Sequence, residues 1–276
     1  MLRLPHLPAH HQDPAPGRAG PAFSSPAAVR ALLETARAAP SLLLLLDYDG
    51  TLVPIAPTPD QAVPDAALLA LLRRLAARPA TAVHVVSGRK HDFLEQHLGA
   101  LPVGLHAEHG VWSRPAGGSW RSVPLDDLSW MVPARALLVG FLARTPGALL
   151  EEKTAGYSWH YRAADPELGR LHARELSLGL ATLLRGAPAQ VMQGDRVVEV
   201  RPSEVHKGTV PRALAAGAPP GVLLLALGDD RTDEDLFAGL PDGGLAVHVG
   251  PSDSLAPLRV ADVAAARRLL EELAAG

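Results

Sequence analysis

The chain has 276 residues, of which 47% are hydrophobic and 20% charged, with a formal net charge of −3 and no cysteine. That length suits one sizeable domain or a core carrying a smaller inserted one, and the charge balance supplies no basic field for nucleic acid or an anionic membrane. The missing thiols exclude disulfides, thiolate metal sites and a cysteine nucleophile. No apolar run approaches the roughly 18 residues needed to span a bilayer. The expectation is therefore a cytoplasmic protein with no nucleic-acid and no membrane partner.

Residues 1–25 are rich in Pro, Ala and His and lack the continuous apolar stretch of a signal peptide. They read as a disordered extension. A helix is expected over Pro26–Ala39, started near Ser24–Ser25 and stopped at Pro40. Leu42–Leu46 is an unbroken apolar run that ends in Asp47-Tyr48-Asp49-Gly50-Thr51. Such runs fit strands buried on both faces of a parallel sheet. The same design recurs where Ala82–Val86 meets Ser87-Gly88-Arg89 and where Val103–Leu105 meets His106-Ala107-Glu108-His109-Gly110. It recurs again where Val222–Leu227 meets Gly228-Asp229-Asp230, and Gly244–Val249 reads as a fifth strand. Helical segments are expected around Ala66–Ala77, His91–Leu98 and Lys207–Ala216. Polar residues and glycines thus cluster just beyond the C-terminal ends of apolar strands, the edge at which open α/β sheets bind ligands. This pattern brings Asp47, Ser87 and Asp229 together in space.

Between these halves the pattern changes. Leu128–Thr145 reads as a helix, Ala148–Lys153 and Tyr157–Arg162 as a strand pair around a turn containing Gly156, and Pro166–Arg185 as a second helix. Gln190–Gln193 and Val197–Arg201 read as a hairpin around Gly194-Asp195. The fold class predicted is α/β: a Rossmann-like parallel-sheet hydrolase core over residues 26–126 and 203–276, with an inserted α+β cap over residues 127–202.

The residues at the strand ends carry the chemistry. Asp47 and Asp49 alternate along the continuing strand and can share a side. The first suits a nucleophile toward phosphorus, the second a proton donor to the leaving oxygen, and Gly50 permits the sharp turn that follows. The bland alternatives are a polar turn or a fragment of a calcium loop, although the later positions do not match such a loop. Asp229, Asp230 and Asp233 offer the hard oxygen ligands that magnesium prefers, or else decorate a helix N-terminus. Ser87 and Arg89 supply a hydroxyl and a cation, and Lys207 a second cation, suited to the oxygens of a phosphoryl group in transfer. A lysine at a helix start is otherwise a solvated one.

Asp47-Tyr48-Asp49-Gly50-Thr51-Leu52, Ser87-Gly88-Arg89, Lys207-Gly208 and Gly228-Asp229-Asp230 resemble the four motifs of the haloacid-dehalogenase-like phosphatases. Ala107-Glu108-His109-Gly110, Glu151-Glu152-Lys153, His160-Tyr161-Arg162, Val198-Glu199-Val200-Arg201-Pro202 and the run from Gly228 to Phe237 narrow the resemblance to the trehalose-6-phosphate phosphatase family. The resemblance covers residue 41 to near the end. It implies that Asp47 is nucleophile and Mg2+ ligand, and that Asp49 is general acid/base and ligates the metal through its backbone carbonyl. Asp229 would be the third ligand, and Ser87 and Lys207 would hold the phosphoryl group. Thr51, Gly88, Asp230 and Asp233 would support them. Arg89, His109, Glu151, Lys153, His160 and Glu199 would bind a sugar phosphate substrate. The charges on the cap hairpins read equally as solvated surface, and His106 and His109 equally as structural histidines. A sucrose-phosphate or other sugar phosphatase, a non-catalytic sugar-phosphate-binding domain and an associated trehalose-phosphate synthase partner all remain compatible with the sequence.

Overall fold

Residues 23–276 are described by a computed structural model; residues 1–22, most of the expected N-terminal extension, lie outside the described residues. Ser24 and Ser25, at the end of that extension, are tied in. The Ser24 N–H donates to the Arg259 carbonyl at 2.9 Å, and Ser25 Oγ accepts from the Ala28 N–H to cap the first helix, α1 (Pro26–Ala38). In chain order there follow β1 (Ser41–Leu46), α2 (Ala66–Ala76), β2 (Thr81–Val86), α3 (His91–Leu98), β3 (Gly104–Ala107), β4 (Trp112–Arg114) and β5 (Arg121–Ser122). Next come α4 (Met131–Arg144), β6 (Leu149–Lys153), β7 (Gly156–His160), α5 (Pro166–Leu183), β8 (Ala189–Gly194) and β9 (Val197–Pro202). The chain closes with α6 (Thr209–Gly217), β10 (Val222–Gly228), α7 (Arg231–Ala238), β11 (Leu245–Val249), β12 (Leu258–Val260) and α8 (Val263–Ala275).

Two sheets result. The larger has the order β12-β11-β10-β1-β2-β3-β4-β5, parallel from β12 to β3 and antiparallel at β4 and β5. β1 is at its centre, and successive leucines explain why: Leu44 packs against one face with α1, α2 and α8, Leu45 against the other with α6 and α7, and both are fully buried. Leu46 registers with Leu227 on one side and Val85 on the other, so Asp47, Ser87 and Asp229 leave the sheet at one edge.

The smaller sheet, β6-β7-β9-β8, is antiparallel throughout. One face carries Tyr157, Trp159, Val198 and Val200 against α4 and α5; the other carries Glu151, Ser158 and Glu199, which are directly paired across three strands. The hairpin turns differ by a residue from the expectation. Gly156 pairs with Lys153, leaving Thr154-Ala155 as the turn, and Gly194 pairs with Val197, leaving Asp195-Arg196. Gly156 is a glycine for closeness, since a Cβ there would lie 2.2 Å from the Val200 carbonyl oxygen.

β4, β5, β12 and α8 are additions to the elements read from the sequence, as is α7, whose N-terminus figured there only as the bland alternative for the acidic run. The strands have two or three residues, too few to show an alternation. α8 did carry a signal: Asp262 caps it, and Ala266, Leu269, Leu270 and Leu273 bury one face at helical spacing. Among the described residues no helix is long and apolar enough to cross a membrane.

Candidate active site

Asp47 continues β1 by one residue, its N–H donating to the Leu227 carbonyl at 3.0 Å, and its side chain is buried. Gly50 follows at φ +81°, and a Cβ there would lie 2.0 Å from the Asp229 carboxylate, so this glycine meets both the turn and the closeness of β10. Lys207, just before α6, donates from Nζ to Asp47 Oδ1 at 2.6 Å and to Asp233 Oδ1 at 2.8 Å. Asp233 Oδ2 accepts from the Asp229 and Asp230 N–H groups at 3.0 and 3.1 Å. Asp230 is the N-cap of α7, forming a reciprocal capping box with Asp233. Thr51 donates from Oγ1 to Asp229 Oδ1 at 3.2 Å. The reading of the second acidic run as helix decoration thus holds for Asp230, which caps, while Asp233 is fully buried and organises the site.

Four carboxylates here face one ammonium group. Burial works against the Lys207 ammonium, but the Asp233 and Asp47 carboxylates more than offset it and raise its pKa well above the usual value. Burial also raises Asp47, against the opposing pull of Lys207. Burial together with the charges of Asp47 and Asp233 pushes the Asp229 carboxyl up to about 10. Such a cluster calls for added positive charge. Oxygens of Asp47, Asp229 and Asp233 lie within 4.8 Å of one another, so the donor set fits a hard divalent cation. Both Asp233 oxygens already accept from protein donors, which leaves Asp47 and Asp229 as the carboxylates free to ligate.

Ser87 continues β2, is buried, and accepts from the Arg89 N–H at 3.1 Å. Gly88 makes room for His109, whose ring would lie 2.8 Å from a Cβ at that position. Arg89 is committed to protein partners: Nε and Nη2 donate to the two Asp49 oxygens at 2.7 and 2.6 Å, Nη1 donates to the Pro59 carbonyl at 2.6 Å, and the guanidinium lies 4.5 Å over the Phe93 ring. Asp49 is thereby held at the cavity rim.

The smaller sheet faces this edge. Lys153 Nζ donates to Glu199 Oε1 at 2.6 Å, His109 Nε2 lies 3.0 Å from both Glu199 oxygens, and His160 Nε2 lies 3.2 Å from Glu151 Oε2. Burial disfavours the Glu199 charge, but His109 and Lys153 outweigh it and hold this carboxyl well below the usual range. Burial lowers the His109 pKa against the opposing pull of Glu199. One cavity is lined by Asp47, Asp49, Ser87, Gly88, Arg89, His109, Glu151, Lys153, His160, Glu199, Lys207, Asp229 and Asp230. His106 is elsewhere, between His84 at 3.0 Å and Ser113 at 2.8 Å, as a structural histidine. The cavity also takes Ile55, Pro57, Met192 and Arg231, which sequence reasoning missed. The first two follow a turn whose course no local pattern announces.

A mainly parallel sheet with Asp47 at the end of its central strand, and a second α+β layer inserted between its halves, is the haloacid-dehalogenase-like fold. A haloacid dehalogenase-like hydrolase from Bacteroides thetaiotaomicron shares this fold at TM-score 0.62 and 13% identity, with 84% of this chain and 99% of that one covered. The family model for Trehalose-phosphatase matches residues 45–259, and the chain belongs to the trehalose-phosphatase family. The C-terminal domain of C. albicans trehalose-6-phosphate phosphatase superposes at TM-score 0.85 and 30% identity, covering 94% of this chain and 99% of that one. A bifunctional trehalose-6-phosphate synthase/phosphatase of Thermoproteus tenax is 48% identical over 231 residues, and the trehalose-phosphatase of Saccharomyces cerevisiae is 38% identical over 231 residues. These alignments cover 84% and 76% of this chain. The chain spans 32% and 26% of the length of those two relatives.

Proposed function

We propose that this chain hydrolyses trehalose 6-phosphate to trehalose and phosphate, with magnesium, through an aspartyl phosphate on Asp47. The observation that carries the reading is the Asp47–Lys207 pair, braced by Asp233, which lines one cavity together with Glu151, Lys153 and Glu199 of the smaller sheet. The two layers act as core and cap, divided near residues 127 and 202. The names of the relatives supply the substrate.

An Asp47 carboxylate oxygen forms a bond to phosphorus as the bond to the sugar oxygen breaks. Asp49 gives that oxygen its proton. Water then attacks the aspartyl phosphate with Asp49, now a carboxylate, accepting its proton, which releases phosphate and restores the Asp47 carboxylate and the protonated Asp49. Ser87 and Lys207 hold the equatorial oxygens. Arg89 orients Asp49 through its paired bonds and keeps N–H groups for the substrate. Asp47, Asp229 and the Asp49 carbonyl would hold magnesium, which supplies charge against the phosphoryl oxygens. His109, Glu151, Lys153, His160 and Glu199 read the sugar hydroxyls. Thr51 and Gly88 keep Asp229 and His109 in place. A sugar phosphate does not cross bilayers unaided, so the enzyme belongs with its substrate in the cytoplasm, and a trehalose-phosphate synthase is the partner that would deliver it.

Phosphate release from a panel of trehalose 6-phosphate, sucrose 6-phosphate and glucose 6-phosphate, with and without magnesium, tests the reading. Magnesium-dependent preference for trehalose 6-phosphate is expected. Preference for sucrose 6-phosphate would transfer the reading to that substrate. No release from any of them would leave a sugar-phosphate-binding domain.

A further inference from the structure

Glu108 has no part in the chemistry above, although the run Ala107-Glu108-His109-Gly110 stands out in the sequence. Its side chain is buried and does not line the active-site cavity. Burying a carboxylate is costly unless its oxygens are hydrogen-bonded. Both are, and both partners belong to one residue of the smaller sheet: Glu108 Oε2 accepts from the Thr154 N–H at 2.9 Å and Oε1 from Thr154 Oγ1 at 3.0 Å. Thr154 Oγ1 in turn accepts from Trp112 Nε1 at 2.9 Å. Thr154 is the first turn residue of the β6–β7 hairpin, directly after Lys153.

The backbone around Glu108 is built for this. Glu108, His109 and Gly110 have φ of +50°, +60° and +107°, a left-handed run that side chains other than glycine resist. What holds it is the 87–89 loop: the Glu108 N–H donates to the Arg89 carbonyl at 2.9 Å, and the His109 N–H to the Ser87 carbonyl at 3.0 Å. One strained turn, anchored on the loop that bears Ser87 and Arg89, therefore sends Glu108 to the tip of one hairpin and His109 to Glu199 on another strand.

We propose that Glu108 is a positioning residue that fastens the β6–β7 hairpin tip to the core, and so sets Glu151 and Lys153 in register over Asp47. The proposal rests on the reading of Glu151 and Lys153 as sugar contacts. Two hydrogen bonds to a buried charge are strong, so their loss moves the lid toward its open form and lowers the fraction of enzyme competent to bind. Loss of fastening raises KM in inverse proportion to that fraction and spares turnover at saturation.

The experiment compares wild type, Glu108→Ala, Glu108→Gln and Thr154→Val on trehalose 6-phosphate and p-nitrophenyl phosphate, with amide hydrogen exchange read in the ligand-free proteins. In Glu108→Ala, KM for trehalose 6-phosphate is expected to rise about tenfold with kcat within about threefold. Turnover of p-nitrophenyl phosphate should hold, and exchange of residues 153–156 should quicken about tenfold while β1 and β10 stay protected. Glu108→Gln keeps an acceptor for the Thr154 N–H and should fall between. Thr154→Val sits on an exposed tip, loses only the hydroxyl and should move both readouts the same way by less, so it decides the matter if Glu108→Ala does not fold. Parallel losses of kcat on both substrates at constant KM, or unchanged hairpin exchange, would overturn the proposal. Quickened exchange in the variants, with a wild type that does not turn over trehalose 6-phosphate, would overturn the substrate reading and leave the fastening standing.

Discussion

The core and the smaller sheet hold their charges in different ways. In the core, Asp47, Asp229 and Ser87 follow the ends of parallel strands buried on both faces, and the backbone register alone brings them to one edge. The Lys207 ammonium then bridges Asp47 and Asp233, all three side chains being buried. In the smaller sheet only one face is packed, against α4 and α5, and the polar face is aligned by side-chain pairs that cross strands. Two of those pairs, His109 with Glu199 and Glu108 with Thr154, cross between the layers. The core residues are therefore gathered by backbone register, whereas the polar face of the smaller sheet meets them through side-chain contacts between the layers.

Asp47→Asn breaks the core side of this contrast most completely. It keeps the shape and removes the attacking charge, so phosphate release should fall by at least about 10³-fold on any substrate. The melting temperature should change by only a few degrees. Activity of a clean preparation within tenfold of wild type would end the covalent mechanism.

The metal comes next. A chelator should abolish turnover on trehalose 6-phosphate and p-nitrophenyl phosphate alike, because both depend on the same core. Magnesium at about 100 times its Kd should stabilise the protein by about 2.7 kcal/mol, read by calorimetry as a raised Tm. Asp229→Asn should remove that Tm shift. Undiminished turnover in the presence of chelator would refute the requirement.

Glu199→Ala tests the lid side. Turnover of trehalose 6-phosphate should fall about 100-fold in kcat/KM, since two basic partners lose their carboxylate and the sugar loses an acceptor. Turnover of p-nitrophenyl phosphate should fall less than about threefold, on the reading that a small aryl ester uses few of these groups. Equal losses on the two substrates would assign Glu199 to the fold or to the chemistry.

The last expected effect is on stability against pH and leaves turnover aside. Burial pushes His84 down to about 4 and His106 to about 3. Their folded values lie below the unfolded value, so the neutral forms favour folding. That contribution is complete above about pH 6.5 and is lost as the pH falls toward 4 and 3. Each histidine should cost about 2 kcal/mol at pH 5. Denaturant midpoints measured from pH 7 to 4 should fall accordingly, and His84→Gln should flatten the curve. A midpoint that does not change over this range would contradict the buried neutral histidines.

Most of the core was legible because its signals are local. An apolar run closed by Asp47-Tyr48-Asp49-Gly50 is a strand and a turn wherever it occurs, and with three more such runs ending in polar residues it implies one parallel edge. Gly50 was legible as a turn residue, but not as space for Asp229, which comes from far along the chain, and Gly228 was not legible as space for Asp233. The order helix, hairpin, helix, hairpin in the middle was legible from periodicity; the pairing of β7 with β9, which joins the hairpins into one face, was not.

The sequence by itself determined the α/β class, the five central strands and the residues that end them, because strand burial and turn chemistry depend on near neighbours. Only the tertiary structure decided that Lys207 lies between Asp47 and Asp233, that Arg89 grips Asp49, and that Glu108 reaches Thr154. Those are pairs of charges and dipoles whose energies depend on distance and burial. Neither is defined until β1, β2 and β10 are laid side by side and the smaller sheet is folded over their ends.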